Sequence, residues 1–217
     1  MNLRYLTAGL ILVTASASGA WQAPPDRGAD GSFAPARLVQ AETPPLSPLA
    51  VGWTSTVAVA LVDASGTVAR VSGDSLTEDV EQVVRRWQFR PASVGRQPVA
   101  SPVLVIGLFR PPSIRDATKP PDVVRLTAPL AGDTPRPVNG PAPPYPPRGT
   151  GSGVAIVEIL VGEDGRPHEV RIAASAGGFD SVALDTARQW SFRPARRDGE
   201  AVAGTVCLIF GFRQPVV

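Results

Sequence analysis

The chain has one cysteine, one histidine and one methionine in 217 residues. A lone Cys207 excludes an intrachain disulfide, and its place in the alternating run Thr-Val-Cys-Leu-Ile-Phe-Gly-Phe marks it as a small buried hydrophobe. A lone His168, with no cysteine cluster around it, leaves no set of zinc ligands and reads as an exposed strand residue. Arginines are scattered and the net charge is only +2, so the basic, aromatic-rich footprint of nucleic-acid binding is missing. Beyond the N-terminus no apolar stretch approaches the roughly 20 residues that cross a bilayer.

Catalytic constellations are missing too. Glu163 and Asp164 sit in a turn, where acids serve the backbone, and Asp180 and Asp185 fall at the start and on the solvent face of an expected helix. Ser175 and Ser181 have no nucleophile-elbow context. The sequence therefore predicts neither an enzyme nor a cofactor or metal site.

What is present begins with an export signal. Met1 to Arg4 is short and positive, Leu6 to Val13 is apolar, and Ser16 to Ala20 supplies small residues, so residues 1–20 read as a signal peptide cleaved after Ala20. The alternative is a short uncleaved anchor holding the chain in the inner membrane, facing the periplasm.

The most informative feature is a repeat. Phe89-Arg90-Pro91-Ala92 returns as Phe192-Arg193-Pro194-Ala195, each behind a tryptophan, Trp87 and Trp190, and Phe109-Arg110 returns as Phe212-Arg213 at the same offset. Such self-similarity predicts two copies of one unit. Residues 21–43 and 111–140 mix proline, glycine and charge without periodicity, and read as a disordered linker and a Pro-rich linker. Only Val123 to Leu126 within them could add a strand.

Each unit, 44–110 and 141–217, reads as strand, strand, helix, strand: an α+β module with an antiparallel sheet and one packed helix. Hairpins are expected from Thr56–Val62 and Thr67–Ser72 across Asp63 to Gly66, and from Ala155–Val161 and His168–Ala173 across Gly162 to Gly165. The first helix is expected to open on a capping box of Ser75 and Glu78 and to bury Val80, Val83, Val84 and Trp87. Its counterpart buries Phe179, Ala183, Ala187 and Trp190. Pro91 and Pro194 stop each helix from continuing, and the last strands run from Pro102 to Phe109 and from Thr205 to Phe212.

Pro143-Pro144-Tyr145-Pro146, Gly153-Val154-Ala155-Ile156-Val157-Glu158, Glu163-Asp164-Gly165, Arg188 to Ala195 with Trp190, Phe192 and Pro194, Gly199 and a closing strand come in an order that resembles the C-terminal domain of the TonB family. The resemblance spans residues 141–217. Residues 44–110 resemble the same domain more distantly, with Pro45-Leu46-Ser47-Pro48 in place of the Tyr-Pro element.

The resemblance implies a periplasmic partner of outer-membrane TonB-dependent receptors, pairing with a short receptor peptide by strand addition and supporting energy-coupled transport. Carried over by position, the contacts fall on Tyr145, Pro146, Val206, Cys207, Leu208, Ile209 and Phe210. An uncleaved N-terminus would add the inner-membrane motor complex as a partner. The alternative is a periplasmic structural or protein-interaction module without energy coupling, in which the two units pair edge strands with each other or self-associate with another chain.

Overall fold

A computed structural model describes residues 32–46, 52–73, 76–112, 120–127 and 133–214. The first half contains strands β1 (Phe33–Ala34), β2 (Arg37–Gln40), β3 (Thr54–Val62) and β4 (Val68–Ser72), helix α1 (Glu78–Arg85), and strands β5 (Gln88–Arg90), β6 (Ala92–Val94), β7 (Gln97–Val99) and β8 (Ser101–Phe109). A short helix α2 (Val123–Leu126) and strand β9 (Arg136–Asn139) lead into β10 (Gly153–Val161) and β11 (Pro167–Ala174). A 3-10 turn, Gly177–Phe179, then opens helix α3 (Asp180–Ala187), followed by β12 (Ser191–Arg193), β13 (Ala195–Arg197), β14 (Glu200–Val202) and β15 (Gly204–Phe212). The signal segment and Ser75 of the expected capping box lie outside the described residues; α1 starts after Thr77, whose side chain makes no cap. No helix among the described residues is long and apolar enough to cross a membrane.

Both hairpins form where turn chemistry places them. Gly66 and Gly165 take φ of +88° and +79°, and a Cβ there would lie 2.0 Å from the Phe89 carbonyl oxygen and 2.2 Å from that of Phe192. Glycine is required on both counts. The same approach lets the Phe89 N–H donate to the Gly66 carbonyl at 2.8 Å and the Phe192 N–H to the Gly165 carbonyl at 3.1 Å. Each Phe-Arg-Pro segment is thus stitched to the hairpin turn of its own half.

Two segments expected to be linkers contribute structure. β1 pairs with β6 and β2 with β5, and β9 pairs with β12, all antiparallel. Short strands with few apolar residues give little periodicity to read, and their partners are distant in sequence. Val123 to Leu126 forms one helical turn rather than a strand, because Asp122 accepts the Arg125 N–H at 3.2 Å and so caps it. The hairpins β6–β7 and β13–β14 were also not legible in the pattern.

The principal sheet has six strands in the order β11-β10-β15-β8-β3-β4. Every pairing is antiparallel except β15 with β8, the last strands of the two halves, which run parallel. An antiparallel sheet was expected for each half; the parallel seam arises only when the halves join.

Side chains alternate across this sheet and divide the core in two. Ala58, Ala60, Val103, Val105, Ile156, Cys207 and Ile209 pack with Val80, Val83, Val84 and Trp87 on one face. Leu104, Ile106, Leu108, Val157, Ile159, Leu208 and Phe210 pack with Phe179, Ala183, Ala187 and Trp190 on the other. The helices therefore cover opposite faces, and each core layer draws residues from both halves. The tryptophans anchor the layers: Trp87 Nε1 donates to the Glu42 carbonyl at 2.9 Å and Trp190 Nε1 to the Pro141 carbonyl at 3.0 Å. These bonds satisfy the one polar atom of each otherwise buried ring.

Candidate functional site

The site is built around β15, whose nine residues are all buried. On one side it pairs antiparallel with β10, from Gly153 opposite Phe212 to Val161 opposite Gly204. On the other it pairs parallel with β8, from Val206 opposite Leu104 to Gly211 opposite Phe109, and the Arg110 N–H extends the ladder to the Gly211 carbonyl at 2.9 Å. The free edge expected along Val206, Cys207, Leu208, Ile209 and Phe210 is consequently filled by the chain's own β8. Alternation along the sequence shows that a strand is buried but not which strand lies beside it.

Tyr145 and Pro146 sit apart from this seam. The Tyr145 hydroxyl donates to the Gly151 carbonyl at 2.8 Å, and its ring meets Phe179 edge-on at 5.5 Å. Phe179 in turn stacks on Phe212 at 4.6 Å, so the Tyr-Pro element closes the end of β15 on the α3 face. Trp87, Phe89, Trp190 and Phe192 are buried core residues. Pro91 and Pro194 pack near the hairpin glycines, their Cδ atoms each 3.4 Å from where a Cβ would stand on Gly66 and Gly165.

The seam is fitted at two places. Phe109 lies over two glycines: a Cβ on Gly107 would stand 2.8 Å from its Cε2, and one on Gly211 2.5 Å from its Cδ1. Gly211 also makes room for Leu46, whose Cδ2 would be 2.9 Å away. At Gly211 the second half thus leaves room that Phe109 and Leu46 of the first half occupy.

The other place is a buried carboxylate that sequence reasoning missed. Glu158 on β10 is fully buried, and its oxygens accept the Leu38 N–H at 2.5 Å, Arg37 Nε and Nη2 at 3.2 and 3.1 Å, and Arg171 Nε at 2.7 Å. Arg171 Nη2 donates to the Leu38 carbonyl, and Arg37 Nη2 reaches Glu169 at 2.8 Å. Nearby, Thr205 Oγ1 donates to the Ala36 carbonyl. Burial alone would lower the Arg37 guanidinium, but its bonds to Glu169 and Glu158 outweigh this and raise it. The Arg37 bond likewise holds the Glu169 carboxyl below the usual range against the opposing effect of burial. A single acid within Gly-Val-Ala-Ile-Val-Glu-Ile-Leu-Val was the available signal, since a charge in a fully buried strand demands partners.

The remaining polar residues have structural work. Burial, and then the Glu158 charge, push the Cys207 thiol well up, so it carries no thiolate for chemistry. His168 pairs with Asp164 at 3.1 Å on the surface, and Asp180 accepts Ser175 Oγ and the Ala176 N–H ahead of α3. Among the described residues no group of histidine, cysteine and acids could hold a metal.

Residues 141–213 match the family model of the Gram-negative bacterial TonB protein C-terminal. A comparison with curated proteins finds no match. The matched stretch begins at the carbonyl that receives Trp190 and ends just after β15, so it encloses the hairpin, α3 and the closing strand as one unit. Residues 141–213 are thus similar to a TonB C-terminal domain, which is a protein-interaction domain of the cell envelope.

Proposed function

We propose that the chain is a periplasmic TonB-like protein whose second half recruits an extended peptide of an outer-membrane transporter along β15, in support of energy-coupled transport. The observation that carries this is the β15–β8 pairing: the family match identifies the domain, and within the chain β15 already pairs with a parallel strand over Val206 to Gly211, which supports the reading. Main-chain hydrogen bonds would supply attachment and alternating side chains the selectivity. Val206, Cys207, Leu208, Ile209 and Phe210 form the docking ladder, with Tyr145 and Pro146 steadying the end of the strand.

In this reading residues 44–110 are a degenerate second copy of the same module. Support comes from the shared Trp-x-Phe-Arg-Pro-Ala motif, the matched indole bonds and the matched glycine-to-Phe carbonyl approaches. An export signal at residues 1–20 would deliver the protein to the periplasm; retained as an anchor, it would bring the motor complex within reach.

A second reading is favoured by the two-sided pairing of β15: a periplasmic interaction module whose two units close on each other, with no transport energy involved. Titrating the intact protein with a synthetic peptide of the receptor segment, followed by amide exchange at residues 205–212, separates the two. Saturable binding with altered protection of β15 is expected for the first reading. No binding at any concentration selects the second.

A further inference from the structure

We infer that β8 is a tethered occupant of the docking edge, held by the Glu158 knot and the Phe109 fit, and that it yields to an extended parallel peptide that reproduces its side-chain pattern. This rests on the docking reading above, and it adds which peptides the edge takes and what keeps them out.

The pattern comes from the register. Opposite Val206, Leu208 and Phe210 the resident strand places Leu104, Ile106 and Leu108, all fully buried. Opposite Ile209 it places Gly107, and opposite Gly211 it places Phe109, whose ring covers both glycines. An entering strand thus needs branched apolar residues on the α3 face. On the other it needs a small residue followed two positions later by an aromatic ring.

The hold is suited to release. Glu158 has no exposed side-chain surface, whereas Arg37 and Arg171 are 19% and 36% exposed. When the arm carrying Arg37 and Leu38 lifts, both guanidiniums can reach water, so only the carboxylate bears the desolvation cost. The arm is also paired to β5, so it belongs with the first half, as β8 does.

The lone cysteine supplies the test. Cys207 stands opposite Val105 across the seam, and both side chains lie in the same core layer. Val105→Cys in the intact chain can be oxidised to a bond that locks β8 in place and reduced to free it. The probe is a labelled synthetic peptide copying residues 101–110, with a scrambled peptide as control, read by anisotropy. Reduced Val105→Cys is expected to bind the copy and the oxidised form to lose binding at least tenfold. Glu158→Gln, in otherwise wild-type chain, should bind at least tenfold more tightly than wild type, with faster amide exchange in β15 and unchanged exchange in β11. Equal binding by oxidised and reduced protein, or no binding of the copy to Glu158→Gln despite faster exchange in β15, overturns the inference. If the copy binds as expected and a transporter peptide does not, the inference stands and the transport reading fails.

Discussion

Among the described residues Glu158 is the only charged residue that is buried, and its worth can be bracketed. Removing one member of a buried ion pair costs about 3–5 kcal/mol when the survivor stays buried. Here the survivors reach solvent, so Glu158→Ala should cost about 3 kcal/mol by chemical denaturation; a loss under about 1 kcal/mol would make the knot no stronger than a surface pair. Glu169 behaves differently, being 44% exposed. Its carboxyl is lowered in the folded state, so its contribution is present above the unfolded value near pH ~4.3 and lost as pH falls through the folded one. Glu169→Gln should cost about 0.2–1 kcal/mol at neutral pH and flatten that part of the acid limb, which a pH series of denaturation midpoints would read. None of this was legible beyond the oddity of one acid in an apolar strand, because Arg37 lies 121 residues from its partner.

At the scale of elements, strands and helices followed the patterns that burial imposes. The alternation at the end of β3 and the stripe of Val80, Val83 and Val84 on α1 were readable since one amphipathic period fixes each, and β10 and β15 were readable as short apolar runs bounded by turn residues. The short strands β2 and β9 were not, because four residues carry no period and their neighbours decide their conformation. The position of β15 changes what a substitution there tests. In a strand paired on both sides, proline at Leu208 or Ile209 would remove a ladder donor from the centre of the sheet and threaten the fold itself. Gly211→Val is more selective, as its Cβ meets Phe109 and Leu46 of the first half. Overpacking of this kind costs about 1–3 kcal/mol. We expect lower stability with faster exchange along β8 and β15; exchange unchanged at the seam would show that the ring and leucine simply move aside.

At the scale of the molecule, the Pro-rich stretch between the halves does not hold them apart. Ile156, Cys207 and Ile209 share a core layer with Val84 and Trp87, Arg197 stacks on the Phe33 ring at 5.1 Å, and six pairs of residues form the parallel seam. Shared core predicts shared unfolding. Calorimetry should give one transition whose calorimetric and van't Hoff enthalpies agree; two resolved transitions would mean that the seam adds little to either half.

The paired Trp-x-Phe-Arg-Pro-Ala motifs, the glycine-dependent hairpins that precede α1 and α3, and the buried tryptophans were determined by sequence alone, because each follows from local sterics or from one period of burial. The tertiary structure alone decided that the two final strands lie side by side and parallel, that the helices take opposite faces, and that Glu158 finds Arg37 and Leu38. Those choices depend on surfaces meeting across more than 100 residues of chain, where Phe109 fits over Gly211 and a buried carboxylate meets Arg37 and Leu38, and no local pattern records either contact.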